Sequence, residues 1–570
     1  MATKKRKRLM CDFETTTDPN DVRVWASCAV DIDTLETVHL SHSIEEFIDF
    51  LKDQNTVCYF HNLRFDSEFL LSYLLLNGYK NSPSKKPKTF STLISDMGQI
   101  YSLTVIFDKI GKQYKKVVFY DSLKKLPFKV ATIAKTFELP ISKGEIDYTA
   151  PRPRGYQMTE EEKEYIIHDC WIVARALQIQ FEEGLTKMTT AGDAMGYFKD
   201  LITPKTFDFL FPKFPVEMDA DIRQAYKGGY VYLKPEYRGY RGLHGVTFDD
   251  NSLYPSRMHS SSGCLLPFGY PMFFEGEPTP SDKYPLFIVK FECAFDLKKD
   301  HLPTIQLKNN RAYVETEYLT TSNGERVEMV MTNVDLALML DHYDTDEITY
   351  INGWKFQGRM GMFDDYIDYW MKVKETTTGA KRQLAKLQLN SLYGRFAQNP
   401  KAYKKHVFLD AEGIVRYKII NNDKVAEEYG AEPPELRSPI YTAVSAFVTA
   451  YGRDLTIRSG QKVYDRLIYI DTDSLHLIGY EDPEELEIHP TRLGAWKNEG
   501  FFTDSKFIRA KTYMETTENG TKVTCAGMPE NVKKKVTYDN FRTGSTFTGK
   551  LLPKRYRGGV ILTDTTFTIK

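Results

Sequence analysis

Asp471 and Asp473 stand one residue apart in Tyr469-Ile470-Asp471-Thr472-Asp473-Ser474, between two apolar runs. Carboxylates that close repel each other unless a cation lies between them, and hard oxygen ligands favour Mg²⁺. Arg466 to Ile470 is rich in β-branched and aromatic residues, Asp, Thr and Ser form turns, and Leu475-His476-Leu477-Ile478 is apolar again. The pattern predicts strand, tight turn, strand. Residues two apart on an extended backbone share a face, which would aim both acids at one point. Taken alone, a solvated surface hairpin explains the pattern equally well.

Further groups extend it. Gly245-Val246-Thr247-Phe248-Asp249 reads as a strand ending in an acid, followed by a tight turn from Asp250 to Pro255. Set beside the hairpin, Asp249 would complete a carboxylate cluster for two metal ions. Turn amides there could receive phosphate oxygens, and Tyr254 would be a flat wall beside the sugar. Ala380 to Phe396 reads as a helix in which Arg382, Lys386 and Asn390 recur every four residues and Tyr393 follows three later, so they share a face. Cations at that spacing repel by about 0.2–0.5 kcal/mol, which suits a helix that binds a polyanion such as a triphosphate. Lys374 would add a further charge. Carboxylates and a cationic helix are the parts of a nucleotidyl-transfer centre.

A second set lies near the N-terminus. Asp12-Phe13-Glu14 places two carboxylates on one strand face, and Asn62-Leu63-Arg64-Phe65-Asp66 offers a loop acid after the strand Thr56 to Phe60. Tyr165 and Asp169 are four apart on a helix opened by a capping box, Thr159 with Glu162. Four acids and a phenol that can hold a water suit two-metal hydrolysis of a phosphodiester.

The elements that must position these groups are partly legible. From Leu9 to about Thr190, short strands (Val24 to Val30, Thr56 to Phe60, Ile100 to Phe107, Lys116 to Tyr120) alternate with helical patterns, predicting a mixed α/β domain. Gly- and Pro-rich text from Tyr226 to Gly245 and a Pro-rich stretch from Phe268 to Pro285 are candidate boundaries. Lys401 to Pro434 is polar and insertion-like, with strand-rich sequence expected after it. A length of 570 residues implies several domains, and 76 basic against 77 acidic residues exclude attraction by net charge. Nucleic-acid contact must then come from local clusters. Two are Lys4-Lys5-Arg6-Lys7-Arg8, more often a solvated tail, and Gly527 to Lys570, with nine Lys or Arg against three acids. Seven cysteines without CxxC spacing predict a reduced intracellular protein without structural zinc. The N-terminus lacks a signal-peptide core, and Phe69 to Leu76 is too short to span a bilayer, so a soluble cytoplasmic protein with no membrane role is expected.

In this order the motifs resemble those of family B DNA polymerases. Asp12-Phe13-Glu14, Asn62 to Asp66 and Tyr165-x-x-x-Asp169 look like the three exonuclease motifs. Asp249 to Pro255, Lys386-x-x-x-Asn390-Ser391-Leu392-Tyr393-Gly394 and Tyr469-x-Asp471-Thr472-Asp473-Ser474 look like polymerase motifs A, B and C. Lys511-Thr512-Tyr513 resembles the primer-holding Lys-x-Tyr motif, and Tyr226-Lys227-Gly228-Gly229 the template-contacting linker. With Tyr120 to Phe128 and the ending Thr566 to Lys570, the likeness runs nearly end to end and is strongest to the protein-primed polymerases of small Bacillus phages.

The resemblance implies an α/β and α+β multidomain fold: a ribonuclease-H-like 3′–5′ exonuclease domain and a right hand of palm, fingers and thumb. The implied divisions are residues 1–190 (exonuclease), 191–260 (palm), 261–360 (terminal-protein insertion), 361–397 (fingers), 398–439 (second insertion), 440–525 (palm) and 526–570 (thumb). It implies two Mg²⁺ per centre, with Mn²⁺ as a substitute, held by Asp249, Asp473 and residue 250 in one and by Asp12, Glu14, Asp66, Asp169 and Glu145 in the other. Asp471, Tyr165 and Lys143 assist. Tyr254, Lys374, Arg382, Lys386, Asn390 and Tyr393 would bind the dNTP. Thr15, His61, Asn62, Phe65, Ser122, Leu123, Tyr226, Gly228, Gly229, Lys511 and Tyr513 would contact DNA. Implied partners are primer-template DNA, dNTPs and a terminal protein whose hydroxyl starts the chain, with a monomeric enzyme that is processive and displaces strands.

Position 250 is Asp where the family pattern has an apolar residue, Arg382 replaces a Lys, and the stretch from Tyr513 to Cys525 is short. The rivals are a family B polymerase using ordinary primers and, from another class, an inert DNA-binding replication accessory. The full set of acids weighs against the last.

Overall fold

The computed structural model describes residues 6–95, 97–306 and 318–570. Lys4 and Lys5 of the basic run, and residues 307–317 of the expected first insertion, lie outside them. In the N-terminal domain eight strands form one sheet, in the order Thr37–Ser41, Val24–Asp31, Lys7–Thr15, Thr56–Phe60, Gln113–Asp121, Ile100–Ile110, Thr89–Ile94, Lys80–Asn81. Lys7–Thr15 pairs antiparallel with Val24–Asp31 and parallel with Thr56–Phe60. Successive residues of Lys7–Thr15 serve opposite cores. Met10 faces the helix Glu160–Glu182, while Leu9, Cys11 and Phe13 face the helices Ile44–Lys52 and Leu63–Leu76. Both faces are covered, which is why this strand lacks simple polar alternation. Asp12 and Glu14 share the Met10 side and so face Glu160–Glu182. That helix opens with the expected reciprocal capping box, worth about 1 kcal/mol.

The second half of the chain is built around a five-stranded antiparallel sheet, ordered Trp496–Phe502, Gly245–Asp250, Ser474–Ile478, Leu467–Asp471, Val231–Leu233. The stretch Tyr226 to Gly245 is therefore more than a linker, since it supplies the edge strand. Behind the sheet runs the helix Thr442–Lys462, where strand-rich sequence was expected. Its Val, Thr and Ser residues read locally as β, but every residue from Thr442 to Ala450 is buried. Packing against the helices Val216–Arg223, Leu253–Met258, Asn333–His342 and Gly379–Phe396 overrides that preference.

Between motifs A and B, a four-stranded sheet runs in the order Leu266–Glu275, Thr349–Arg359, Leu286–Cys293, Val327–Thr332. The first part of the Pro-rich stretch expected to be a boundary, Phe268 to Glu275, belongs to the edge strand of this sheet, where Pro271 falls in a bulge between Phe268 and Met272, and its remainder to Pro285 is loop. Asp335, on the helix leaving this sheet, forms a bidentate buried pair with Arg453, at 3.0 and 2.8 Å. Arg453 also donates to the carbonyls of Lys227 and Gly228, at 3.0 and 2.8 Å. Removing one partner of such a pair costs about 3–5 kcal/mol, because the other charge is left buried.

The stretch expected to be a second insertion carries the hairpin Lys404–Leu409/Val415–Ile420. The short stretch after Tyr513 is explained by a tight hairpin, Thr512–Thr517/Gly520–Cys525, in a three-stranded sheet with Asp504–Arg509. Its apolar residues share a core with Met528, Phe541 and Phe567 of the C-terminal segment. That segment ends in the long hairpin Thr546–Tyr556/Gly559–Thr568. Among the described residues no helix is long and apolar enough to cross a membrane.

Candidate active site

Ladder register assembles the first centre. Asp249 lies opposite Ser474, and Ser474 opposite Asp471. The predicted strand, turn and strand are present, but the shared-face argument for Asp471 and Asp473 fails, because the chain turns between them at Thr472 with φ 64°. A β-branched residue there is strained. It is held by a 2.6 Å bond from its amide to the Tyr230 carbonyl and a 2.9 Å bond from the Thr456 hydroxyl to its own carbonyl. Gly229 lies against this turn: a Cβ there would fall 2.5 Å from Thr472 Cγ2 and 2.9 Å from the Tyr254 hydroxyl. Asp471 is drawn aside, paired with Nζ of Lys511 and accepting from the Tyr469 hydroxyl at 3.2 Å.

Burial first, then the charges of Asp473 and Glu499, push Asp249 up to about 6. Burial likewise raises Asp473. Asp250 points, by strand alternation, to the face of Val246 and Phe248 and away from that of Asp249. Burial pushes its carboxyl up to about 7 against the opposing influence of Arg257, and neither of its carboxyl oxygens has a hydrogen-bond partner among the described residues. The turn amides expected to receive phosphate are partly spent: Asp250 N donates to Asp473 O at 2.7 Å and Asn251 N to Ala495 O at 3.0 Å.

Arg382, Lys386 and Asn390 are exposed along one face of Gly379–Phe396, with Tyr393 half-buried. Lys374 reaches the same region from the preceding helix, Asp364–Thr376, and donates to Ser252 Oγ at 2.8 Å. Burial, then the charges of Lys386 and Arg382, lower its pKa. Tyr254 packs on Tyr393 with ring centroids 4.4 Å apart, and burial pushes its phenol up to about 12. Tyr226 is half-buried and Gly228 exposed. Tyr513 is only 8% exposed, its ring stacked on Phe507 at 5.2 Å, so it leaves only a small edge open to solvent.

In the N-terminal domain, Asp66 sits in the first turn of the helix Leu63–Leu76 and not in a loop. Asp169 pairs with Nζ of Lys143, which also donates to the Tyr165 hydroxyl at 2.9 Å. Burial first, then the charge of Asp169, pushes Asp12 up to about 7; Lys143 opposes this. Glu14 and Asp66 are raised well above the ordinary range by burial and by Asp12. Glu145 is exposed and is not among the charges that perturb these acids. Asn62 is exposed at φ 74°, and Phe65, Thr15 and Leu123 are half-buried. Ser122 is fully buried, donating to Phe60 O at 3.0 Å and bonded to His61 Nδ1 at 3.0 Å, so its hydroxyl orients His61. Asp121 pins both segments, accepting from the amides of Asn62, Leu63 and Leu123 at 3.1, 3.3 and 3.0 Å.

Among the described residues no three His, Cys, Asp or Glu side chains already converge as a metal site. A lysine occupies one carboxylate in each centre. The donors nonetheless fit divalent cations, because Asp12 and Asp249 are raised partly by neighbouring carboxylates, and Asp169 Oδ1 is buried without a hydrogen-bond partner among the described residues. The sequence reading missed Tyr148, whose hydroxyl lies 2.6 Å from that of Tyr165, and the Arg453–Asp335 pair behind the Gly-Gly linker. None of the three belongs to a local motif.

A strand-borne acid pair beside a cationic helix defines a polymerase-type nucleotidyltransferase. A model of the family described as DNA polymerase type B, organellar and viral, matches residues 48–152 and 147–489. The chain is 43% identical to the DNA polymerase of Bacillus phage B103, over 99% of this chain and 100% of that one. It is 42% identical to that of Bacillus phage phi29, over 99% of each. The structure titled "Phi29 DNA polymerase complexed with primer-template DNA and incoming nucleotide substrates" matches with a TM-score of 0.93 and 42% identity, over 99% of this chain and 100% of that one. The chain belongs to the organellar and viral type B DNA polymerases, and within them to the phi29-like phage enzymes.

Gly229→Ala should cost about 10²-fold in nucleotide incorporation by displacing the Thr472 turn, while degradation of a single strand stays near wild type. Unchanged steady-state incorporation would show that the turn tolerates the methyl. The acids give a pH dependence. Asp12 and Asp249 hold protons more tightly folded, at about 7 and 6 against 3.8 unfolded, so their contribution to stability is full below the unfolded value and lost as pH rises through the folded ones. Mg²⁺ should therefore raise the melting temperature more at about pH 8 than at about pH 5.5. Equal shifts in thermal melts would contradict this.

Proposed function

We propose that this DNA polymerase is a replicative enzyme that also degrades the 3′ end it extends, and that it starts chains on a hydroxyl of a terminal protein. The observation that carries the reading is the presence of two acidic centres on separate sheets, each with a lysine against one carboxylate: Lys511 on Asp471 and Lys143 on Asp169. Divalent ions held by Asp249, Asp473 and the carbonyl of residue 250, and by Asp12, Glu14, Asp66 and Asp169, would supply charge neutralisation and nucleophile activation. Lys374, Arg382 and Lys386 offset the negative charge of the triphosphate. Tyr254, braced by Tyr393 and given room by Gly452, whose Cβ would lie 3.1 Å from the Tyr254 ring, blocks a ribose 2′-hydroxyl. Tyr165 and Lys143 orient the hydrolytic water.

A groove of about 1100 Å³ between the N-terminal domain, the helix Gly379–Phe396 and the second insertion suits a single strand. Lys124, Lys187, Lys199, Arg395, Lys404 and Arg437 line it, with Asp200 as its acid, so it would track phosphates. The primer-template and nucleotides in the phi29 ternary complex support the same substrates here. The likeness to protein-primed enzymes supports a terminal protein as primer and a second insertion that closes around DNA with the C-terminal hairpin, favouring processive synthesis.

Asp473→Ala should abolish primer extension and spare primer degradation, and Asp12→Ala should do the reverse. Loss of both activities in either variant would refute two separate centres. Purified terminal protein incubated with wild type and labelled dNTP should acquire a covalent nucleotide. Its failure to do so, with ordinary primers still extended, would leave a polymerase of conventional priming.

A further inference from the structure

The helix that bears Asp66 carries another buried acid. Glu68 is 5% exposed and lies about 200° further round the helix, away from the acidic centre. Its Oε1 accepts from the Tyr417 hydroxyl at 3.0 Å and from Arg555 Nε at 2.9 Å, with Arg555 Nη2 also 2.9 Å away. The Arg555 guanidinium stacks on the Tyr417 ring at 4.6 Å. Tyr417 belongs to the hairpin of the second insertion and Arg555 to the C-terminal hairpin. Segments 349 and 487 residues distant along the chain thus meet on one carboxylate oxygen.

One turn along, the same helix seats the tip of the C-terminal hairpin. Gly558 N donates to Ser72 Oγ at 3.1 Å. A Cβ at Gly559 would fall 2.3 Å from the Phe69 ring, and one at Gly558 2.3 Å from the Val22 carbonyl. The hairpin tip is therefore fitted to this face at a distance that only glycine permits.

From these contacts we propose that Glu68 is the keystone of a clasp by which the N-terminal domain holds the insertion hairpin and the C-terminal hairpin together, so that its opening governs release of encircled DNA. The proposal rests on the reading above that these two hairpins close around the duplex. Both partners share one acceptor and stack on each other, so losing either weakens the other. Charge-assisted bonds to a buried carboxylate are strong, and the hairpins then open together. The clasp also removes Arg555 from the cations of the C-terminal segment that are free to meet phosphates.

The test is primer extension on a primed single-stranded circle, with excess unlabelled primer-template as a trap, so that each product reports one binding event. Glu68→Ala should shorten products about 5- to 30-fold and speed release from the circle to match, with single-nucleotide insertion within about twofold of wild type. Glu68→Gln, which keeps the acceptor without the charge, should lie between. Glu68→Arg combined with Arg555→Glu should restore part of the length. Glu68→Ala products as long as wild type would overturn the clasp, whereas short products from wild type itself would overturn the encircling reading beneath it. If Glu68→Ala does not fold, Tyr417→Phe decides, since it deletes one hydrogen bond only: shorter products support the clasp and unchanged ones overturn it.

Discussion

The polymerase centre depends on one ladder register. Asp249, Ser474 and Asp471 stand side by side across three antiparallel strands, so the side of the sheet that bears Asp249 is fixed by backbone pairing before any side chain is placed. A slip of one residue would turn Asp249 to the buried face and bring Asp250 up in its place. The apolar partners Val246, Phe248, Leu475 and Leu477, all fully buried, hold that register against the repulsion of the acids. Asp250 shares their side of the sheet as a buried carboxyl whose pKa burial raises.

Around this sheet the protein balances clustered charge by position. Lys511 and Lys143 each take a carboxylate in one centre, and three cations from two helices gather on the side where a triphosphate would lie. The Asp335–Arg453 pair ties the first insertion to the linker carbonyls of Lys227 and Gly228. Gly229, next in the chain, presses on the strained Thr472 turn. A continuous set of contacts therefore runs from the helix Asn333–His342 to the Thr472 turn, giving that segment a physical hold on the acidic hairpin.

Much of this was legible in the chain. The strand, turn and strand around Asp471 and Asp473, the acid-ended strand, the every-fourth-residue face of Arg382, Lys386 and Asn390, and the capping box of Thr159 and Glu162 are short-range patterns set by local backbone period and turn chemistry, although the facing of the two acids is not. The errors arose where tertiary packing overrode local preference. The β-branched segment Thr442–Ala450 is helical because it is buried on every side, and the start of the Pro-rich stretch, Phe268 to Glu275, lies in an edge strand because a bulge takes up Pro271. Ser122 is a motif residue whose hydroxyl is consumed internally, a fact visible only from its distance to His61 and Phe60.

By itself the sequence determined which residue types could bear the chemistry and in what order, because strand and helix periods place neighbouring groups predictably. The tertiary structure alone decided which of them meet. Asp471 turns to Lys511, Asp250 to the buried face, and Glu68 to partners hundreds of residues away. These outcomes depend on strand register and domain packing, and they join residues that no local period relates.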